Sequence, residues 1–168
     1  MAEADAPERE QLSWQELGDG TRVLAEMVHA SGYEPDVILA IARGGLLVAG
    51  AMGYALGAKN VFTVNVEFYT GEDERLELPI LLPPVPDPSE LAQRRVLICD
   101  DVADTGGTLA LVQRFCERHV AEARTAVLYE KPRSIVRCDY VWRRTDRWIT
   151  FAWSALPPVG ADAKAHAG

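Results

Sequence analysis

Three features of the sequence predict an α/β domain with a central parallel sheet flanked by helices. Val37–Ile41, Val96–Cys99 and Thr125–Tyr129 are short apolar runs without alternation, as expected of strands buried on both faces. The first two run into glycine pairs, Gly44-Gly45 and Gly106-Gly107, and apolar residues then recur at helical spacing. Most connections between these units are short, which suits strands and helices in alternation. A chain of 168 residues with 48% hydrophobic content can build one domain with a proper core.

The elements follow in order. Residues 1–11 are polar and are expected to be a flexible tail, so the domain is placed at 12–156. Ser13 with Glu16 forms a capping box, and Leu12 with Leu17 a hydrophobic staple, so a helix starts near Ser13. Gly18 and Gly20 threaten to break it, but Val23, Leu24, Met27 and Val28 carry the pattern to about Ser31, and Gly32 stops it. A strand over 36–42 ends in Arg43-Gly44-Gly45, and a helix follows to about Leu56. Val61 to Glu67 reads as a further strand. Residues 68–94 are polar at first, and then five of the ten prolines fall between Pro79 and Pro88. A loop this long in a compact domain is functional or disordered, so a lid and a plain linker are both open. After Tyr129 come Glu130-Lys131-Pro132 and a short strand at Asp139–Trp142. Arg147–Trp153 is aromatic and apolar and would cap a site, and 157–168 is expected to be a second flexible tail.

Composition excludes several functions. The net charge of −8, with no basic run, argues against nucleic acid as a partner. No apolar run reaches membrane length, and the N-terminus has no signal-peptide core. Cys99, Cys116 and Cys138 are an odd number with no close pair, which fits reduced thiols and a cytoplasmic location. His29, His119 and His166 have no metal-ligand spacing.

The chemistry concentrates in residues 96–109. The strand Val96–Cys99 meets Asp100 and Asp101, two acids that a buried strand cannot hold in its interior. They are expected at its C-terminal end, where open α/β sheets bind ligands. Asp104-Thr105-Gly106-Gly107-Thr108 then opens a helix carrying Leu109, Val112, Phe115 and Cys116. Glycines admit close approach of an anion, and the first N–H groups of a helix are unpaired donors with partial positive charge. No Gly-Lys-Ser/Thr and no G-x-G-x-x-G is present, which disfavours a nucleoside-triphosphate P-loop and a dinucleotide fold. Carboxylates repel phosphate, so Asp100 and Asp101 must serve another part of the same ligand. Sugar hydroxyls and Mg²⁺ are the natural candidates. The Arg43-Gly44-Gly45 loop is a second anion site of the same build.

The 96–109 segment resembles the 5-phosphoribosyl-1-pyrophosphate (PRPP) motif of the type I phosphoribosyltransferases. Lys131-Pro132, Asp139-Tyr140-Val141 and Trp148-Ile149 are similar to the bacterial xanthine-guanine enzymes and their hypoxanthine-using relatives. The similarity spans about residue 36 to residue 154 and is loose over 68–94, which here is longer and richer in proline. The resemblance implies the type I phosphoribosyltransferase fold, with a small hood made by the chain ends. It implies that Asp100 and Asp101 hold the ribose hydroxyls and bind Mg²⁺ directly or through water, while Thr105, Gly106, Gly107 and Thr108 wrap the 5-phosphate. Asp104 would be the catalytic residue, near purine N7 as general base or proton acceptor, and Arg43, Gly44 and Gly45 would grip pyrophosphate, joined by Arg75. Lys131 would meet the 6-oxygen of the purine, Trp148 would stack on the base, and the backbone at Ile149 would read its 2-position. The ordinary readings are a solvated lysine before a turn for Lys131 and plain core for Trp148. The implied reaction transfers the phosphoribosyl group of PRPP to a 6-oxopurine (guanine, xanthine or hypoxanthine), releasing pyrophosphate. The implied assembly is a homodimer or homotetramer. The alternatives are adenine or a deazapurine as the base, or a PRPP-binding regulator without catalysis.

Overall fold

The computed structural model describes residues 9–70 and 77–160, and Arg75 and Gly71 therefore lie outside the described residues. In chain order the elements are β1 (Glu10–Leu12), α1 (Trp14–Ala30), β2 (Val37–Ala42), α2 (Gly44–Leu56), β3 (Val61–Thr70) and β4 (Glu77–Leu82). They continue with α3 (Pro88–Leu91), β5 (Arg95–Ala103), α4 (Gly107–Glu117), β6 (Glu122–Glu130), β7 (Tyr140–Arg144) and β8 (Ile149–Phe151). Six strands form one sheet in the order β4-β3-β2-β5-β6-β7, and β1 pairs with β8 in a second, two-stranded sheet. Every pairing in the large sheet is parallel except β3 with β4. The small sheet joins the two ends of the domain, Glu10–Leu12 lying parallel to Ile149–Phe151.

The sheet is buried on both faces, as continuous apolar strands require. Ile38, Ala40, Leu97, Cys99, Ala126 and Leu128 pack against Leu24, Val28, Val48 and Met52 of α1 and α2. Their neighbours one residue along, Leu39, Ile41, Val96, Ile98 and Val127, pack on the other side against Leu109, Val112 and Cys116 of α4. Period-two alternation thus separates two apolar faces rather than an apolar face from a polar one.

Three sequence expectations are corrected, while α1 runs on through Gly18 and Gly20 as expected and starts with the capping box: Glu16 N–H donates to Ser13 Oγ and Ser13 N–H to Glu16 Oε2. A Cβ at Gly20 would come within 2.8 Å of the Trp142 ring, so this glycine serves helix-on-sheet packing. Glu10 and Gln11 belong to β1 and not to a tail, because their partner lies far away in β8 and local polarity cannot reveal it. Residues 68–94 are not one long loop, since β3 continues to Thr70 and β4 pairs antiparallel with it. Pro79 sits in that pairing because β4 is an edge strand, where a missing N–H can face outward. The third correction concerns Asp100 and Asp101. They stand inside β5, which stays paired with β6 as far as Ala103↔Glu130. On the other flank, the ladder to β2 ends at Ala40↔Cys99. Past Cys99, β5 is thus paired on the β6 flank only; there Asp100 lines a cavity, and the Asp101 carboxylate lies against Gly44.

Candidate active site

The crevice lies at the C-terminal ends of β2, β5 and β6, where the chain turns into α2, α4 and the 131–136 turn. Two glycine pairs shape it, for different reasons. A Cβ at Gly44 would fall on the Asp101 carboxylate, and one at Gly45 would meet the Cys99 carbonyl oxygen. The Arg43-Gly44-Gly45 corner thus admits the N-terminus of α2 directly against β5. Arg43 itself is exposed. Gly106 instead needs its backbone shape. Its φ is +81°, a region that disfavours side chains, and a Cβ there would lie 2.6 Å from Ser134 Oγ. Asp100, Asp104, Thr105, Gly106 and Thr108 line a cavity of about 290 Å³ at the start of α4. The helix N-terminus and the two threonine hydroxyls supply donors for an anion there.

Asp100 and Asp101 are buried or nearly so, and no ion pair reaches either of them among the described residues. Burial pushes both carboxyls above their ordinary range, and the charge of Asp101 adds to the effect on Asp100. Asp101 N–H donates to Asp100 Oδ1 at 2.9 Å, and Val102 N–H donates to Asp101 Oδ1 at 2.7 Å. Asp104, one turn further on, is surrounded by cations. Arg133 Nε and Nη2 donate to its two oxygens at 2.8 and 2.6 Å, and Lys131 Nζ lies 3.9 Å from Oδ1.

Beside Asp104 a second, smaller cavity is lined by Val102, Asp104, Lys131, Trp148, Ile149 and Phe151. It brings together the four residues expected to meet the base. Lys131 is 7% exposed and is no solvated lysine. Trp148 is 61% exposed and is no core residue. The Lys131 ammonium stands 5.7 Å from the centre of the Trp148 ring. Behind this face, Phe151 stacks on Trp153 at 4.7 Å, and Tyr129 meets Phe151 edge-on at 6.1 Å, so the hood is anchored to the end of β6 by aromatic contacts. Sequence reasoning missed Val102 and Arg133, and it placed Phe151 only within the capping stretch 147–153. Arg133 is 29 residues from Asp104, and no spacing rule connects them.

Among the described residues, no group of three or more His, Cys, Asp or Glu could hold a metal by itself. A pair of buried carboxylates without a cation does suit Mg²⁺, which binds through one or two carboxylates and completes its shell with water and substrate phosphates.

A family model for a phosphoribosyl transferase domain matches residues 10–157. The chain is 30% identical over 149 residues to a xanthine-guanine phosphoribosyltransferase of Gluconobacter oxydans, covering 87% of this chain and 84% of that protein. A purine phosphoribosyltransferase structure from Pyrococcus horikoshii superposes with a TM-score of 0.80 at 36% identity, covering 90% of this chain and 97% of that one. The xanthine-guanine-hypoxanthine phosphoribosyltransferase of Helicobacter pylori shares the fold, with a TM-score of 0.72 at 16% identity over 94% of this chain and 97% of that one.

Proposed function

The chain belongs to the phosphoribosyl transferase family, and from that premise we propose that it transfers the 5-phosphoribosyl group of PRPP to a 6-oxopurine. The products are a nucleoside monophosphate and pyrophosphate. The observation that carries the choice of base is the cavity in which buried Lys131 meets Asp104 and Trp148. An ammonium donates and cannot accept, so it matches an oxygen at position 6 and has nothing to offer an amino group.

The residues divide the work along the crevice. Thr105, Thr108 and the N–H groups at Gly106 and Gly107 hold the 5-phosphate at the start of α4. Asp100 and Asp101 accept from the ribose hydroxyls and would hold Mg²⁺ directly or through water. Bound there, the metal would neutralise charge on the departing pyrophosphate. Arg43, with the N–H groups of Gly44 and Gly45 and with Arg75, places further positive charge on the pyrophosphate side. Trp148 stacks on the base, and the backbone at Ile149 reads its 2-position. Asp104 accepts the hydrogen bond of the purine N7 proton as positive charge develops on the ring system during attack at the anomeric carbon. A cytoplasmic homo-oligomer is the expected form, and no helix among the described residues is long and apolar enough to cross a membrane.

The test is a panel of guanine, xanthine, hypoxanthine and adenine with PRPP and Mg²⁺, following pyrophosphate release. Turnover with a 6-oxopurine above adenine is the expected result. Adenine as the better substrate would overturn the role of Lys131 and leave the transfer chemistry standing.

A further inference from the structure

Arg133 makes the shortest charged contact in the crevice, and neither motif nor resemblance points to it. Its guanidinium grips Asp104 in fork geometry, Nε on Oδ1 at 2.8 Å and Nη2 on Oδ2 at 2.6 Å. Such a pair fixes the plane of the carboxylate as well as its position. The turn that carries Arg133 is itself tied to the phosphate loop. Lys131 N–H donates to the Ala103 carbonyl, and Ile135 N–H to the Thr105 carbonyl, each at 2.9 Å. Ser134 Oγ is closed onto Val136 by a 2.8 Å hydrogen bond, and it packs against Gly106 so closely that no Cβ would fit. Arg133 and Asp104 therefore ride on one stitched unit.

Stability alone does not explain the contact. The Arg133 and Asp104 side chains are 60% and 38% exposed, so water screens the pair. What the contact does determine is direction. Asp104 lines both the phosphate-side and the base-side cavities, and an untethered carboxylate could turn toward either. A guanidinium donates from a rigid fork and accepts nothing, so it fixes both oxygens without competing for the proton that Asp104 meets.

We propose that Arg133 is the positioning residue for Asp104, fixing its carboxylate so that the remaining acceptor capacity faces the base. The inference rests on the reading of Asp104 as the partner of the purine N7 proton. On this reading Arg133 acts through Asp104 and not directly on the substrates.

The experiment is a double-mutant cycle in steady-state and single-turnover kinetics with PRPP, Mg²⁺ and the preferred base, on wild type, Arg133→Met, Asp104→Asn and the double variant. Arg133→Met should lower kcat by roughly 10- to 100-fold, the scale of a misplaced catalytic group, and leave the KM for PRPP unchanged. In the Asp104→Asn background the same change should cost less than about twofold, because its target is gone. Arg133→Lys should stay well below wild type, since an ammonium cannot hold both oxygens in a fixed plane. Losses that multiply in the double variant would overturn the proposal, as would wild-type kcat in Arg133→Met or Arg133→Lys. A wild type that turns over no purine would instead remove the reading on which the proposal rests.

Discussion

Asp100 and Asp101 stand at one end of a single five-residue stretch and Asp104 at the other, yet the fold treats them in opposite ways. The first two are set into β5, buried, and given no cation among the described residues. Asp104 sits past the strand end and receives both Arg133 and Lys131. The contrast separates a site that waits for positive charge from outside from a site whose positive charge is built in. An acidic protein of net charge −8 that must bind a polyanion needs both arrangements. Imported charge can arrive together with the phosphates, while resident charge is available to orient the base.

Removal of metal tests the contrast most severely. Excess EDTA should abolish turnover, because no cation among the described residues replaces the missing one at Asp100 and Asp101; full activity in EDTA would erase the distinction. Asp104→Asn comes next and should lower turnover by roughly 10²- to 10⁴-fold with PRPP binding largely intact. If turnover in that variant matched wild type, Asp104 would be one more structural acid. Lys131→Ala is milder. An unpaired buried donor costs about 1–3 kcal/mol, so Lys131 should supply about ten- to a hundredfold of the preference for 6-oxopurines over adenine. The variant should lose that preference, measured as the ratio of kcat/KM values, and an unchanged ratio would assign specificity elsewhere.

The smallest effect sharpens the comparison in the absence of any ligand. Burial raises the carboxyls of Asp100 and Asp101, so their protonated forms suit the fold better than their ionised forms. Such groups cost nothing at pH below their unfolded values of about 4. Their contribution is lost as pH rises through the raised folded-state values. Asp101→Asn should therefore stabilise the free protein, by about 2–4 °C in Tm if about 1 kcal/mol is relieved. The gain should shrink toward about pH 4 and widen above it. A thermal melt series across pH reads this directly, and a variant less stable than wild type at neutral pH would overturn the reading that burial raises Asp101.

Residue patterns alone determined the α/β class, the two glycine corners and the acids beside them. Those features depend on neighbours in the chain: continuous apolar strands, a capping box, glycines before a helix. The hood was expected from resemblance, and its strand β1 was hidden, because Glu10–Leu12 has no apolar pattern and becomes a strand only by lying along Ile149–Phe151. The hairpin of β3 and β4 was hidden for a related reason, since proline-rich sequence resembles a loop until an edge position makes the missing N–H harmless. In the site, the sequence named Asp104, Lys131 and Trp148 but left two of them open to ordinary readings. Only tertiary packing buried Lys131, left Trp148 exposed and brought Arg133 across 29 residues to Asp104. Ladder pairing on one flank of β5 and its end at Cys99 on the other decided that Asp100 stands within a strand and yet lines a cavity. Local sequence fixes which groups a segment offers. Which of them are paired, and which are left without a partner, depends on what the rest of the chain places beside them.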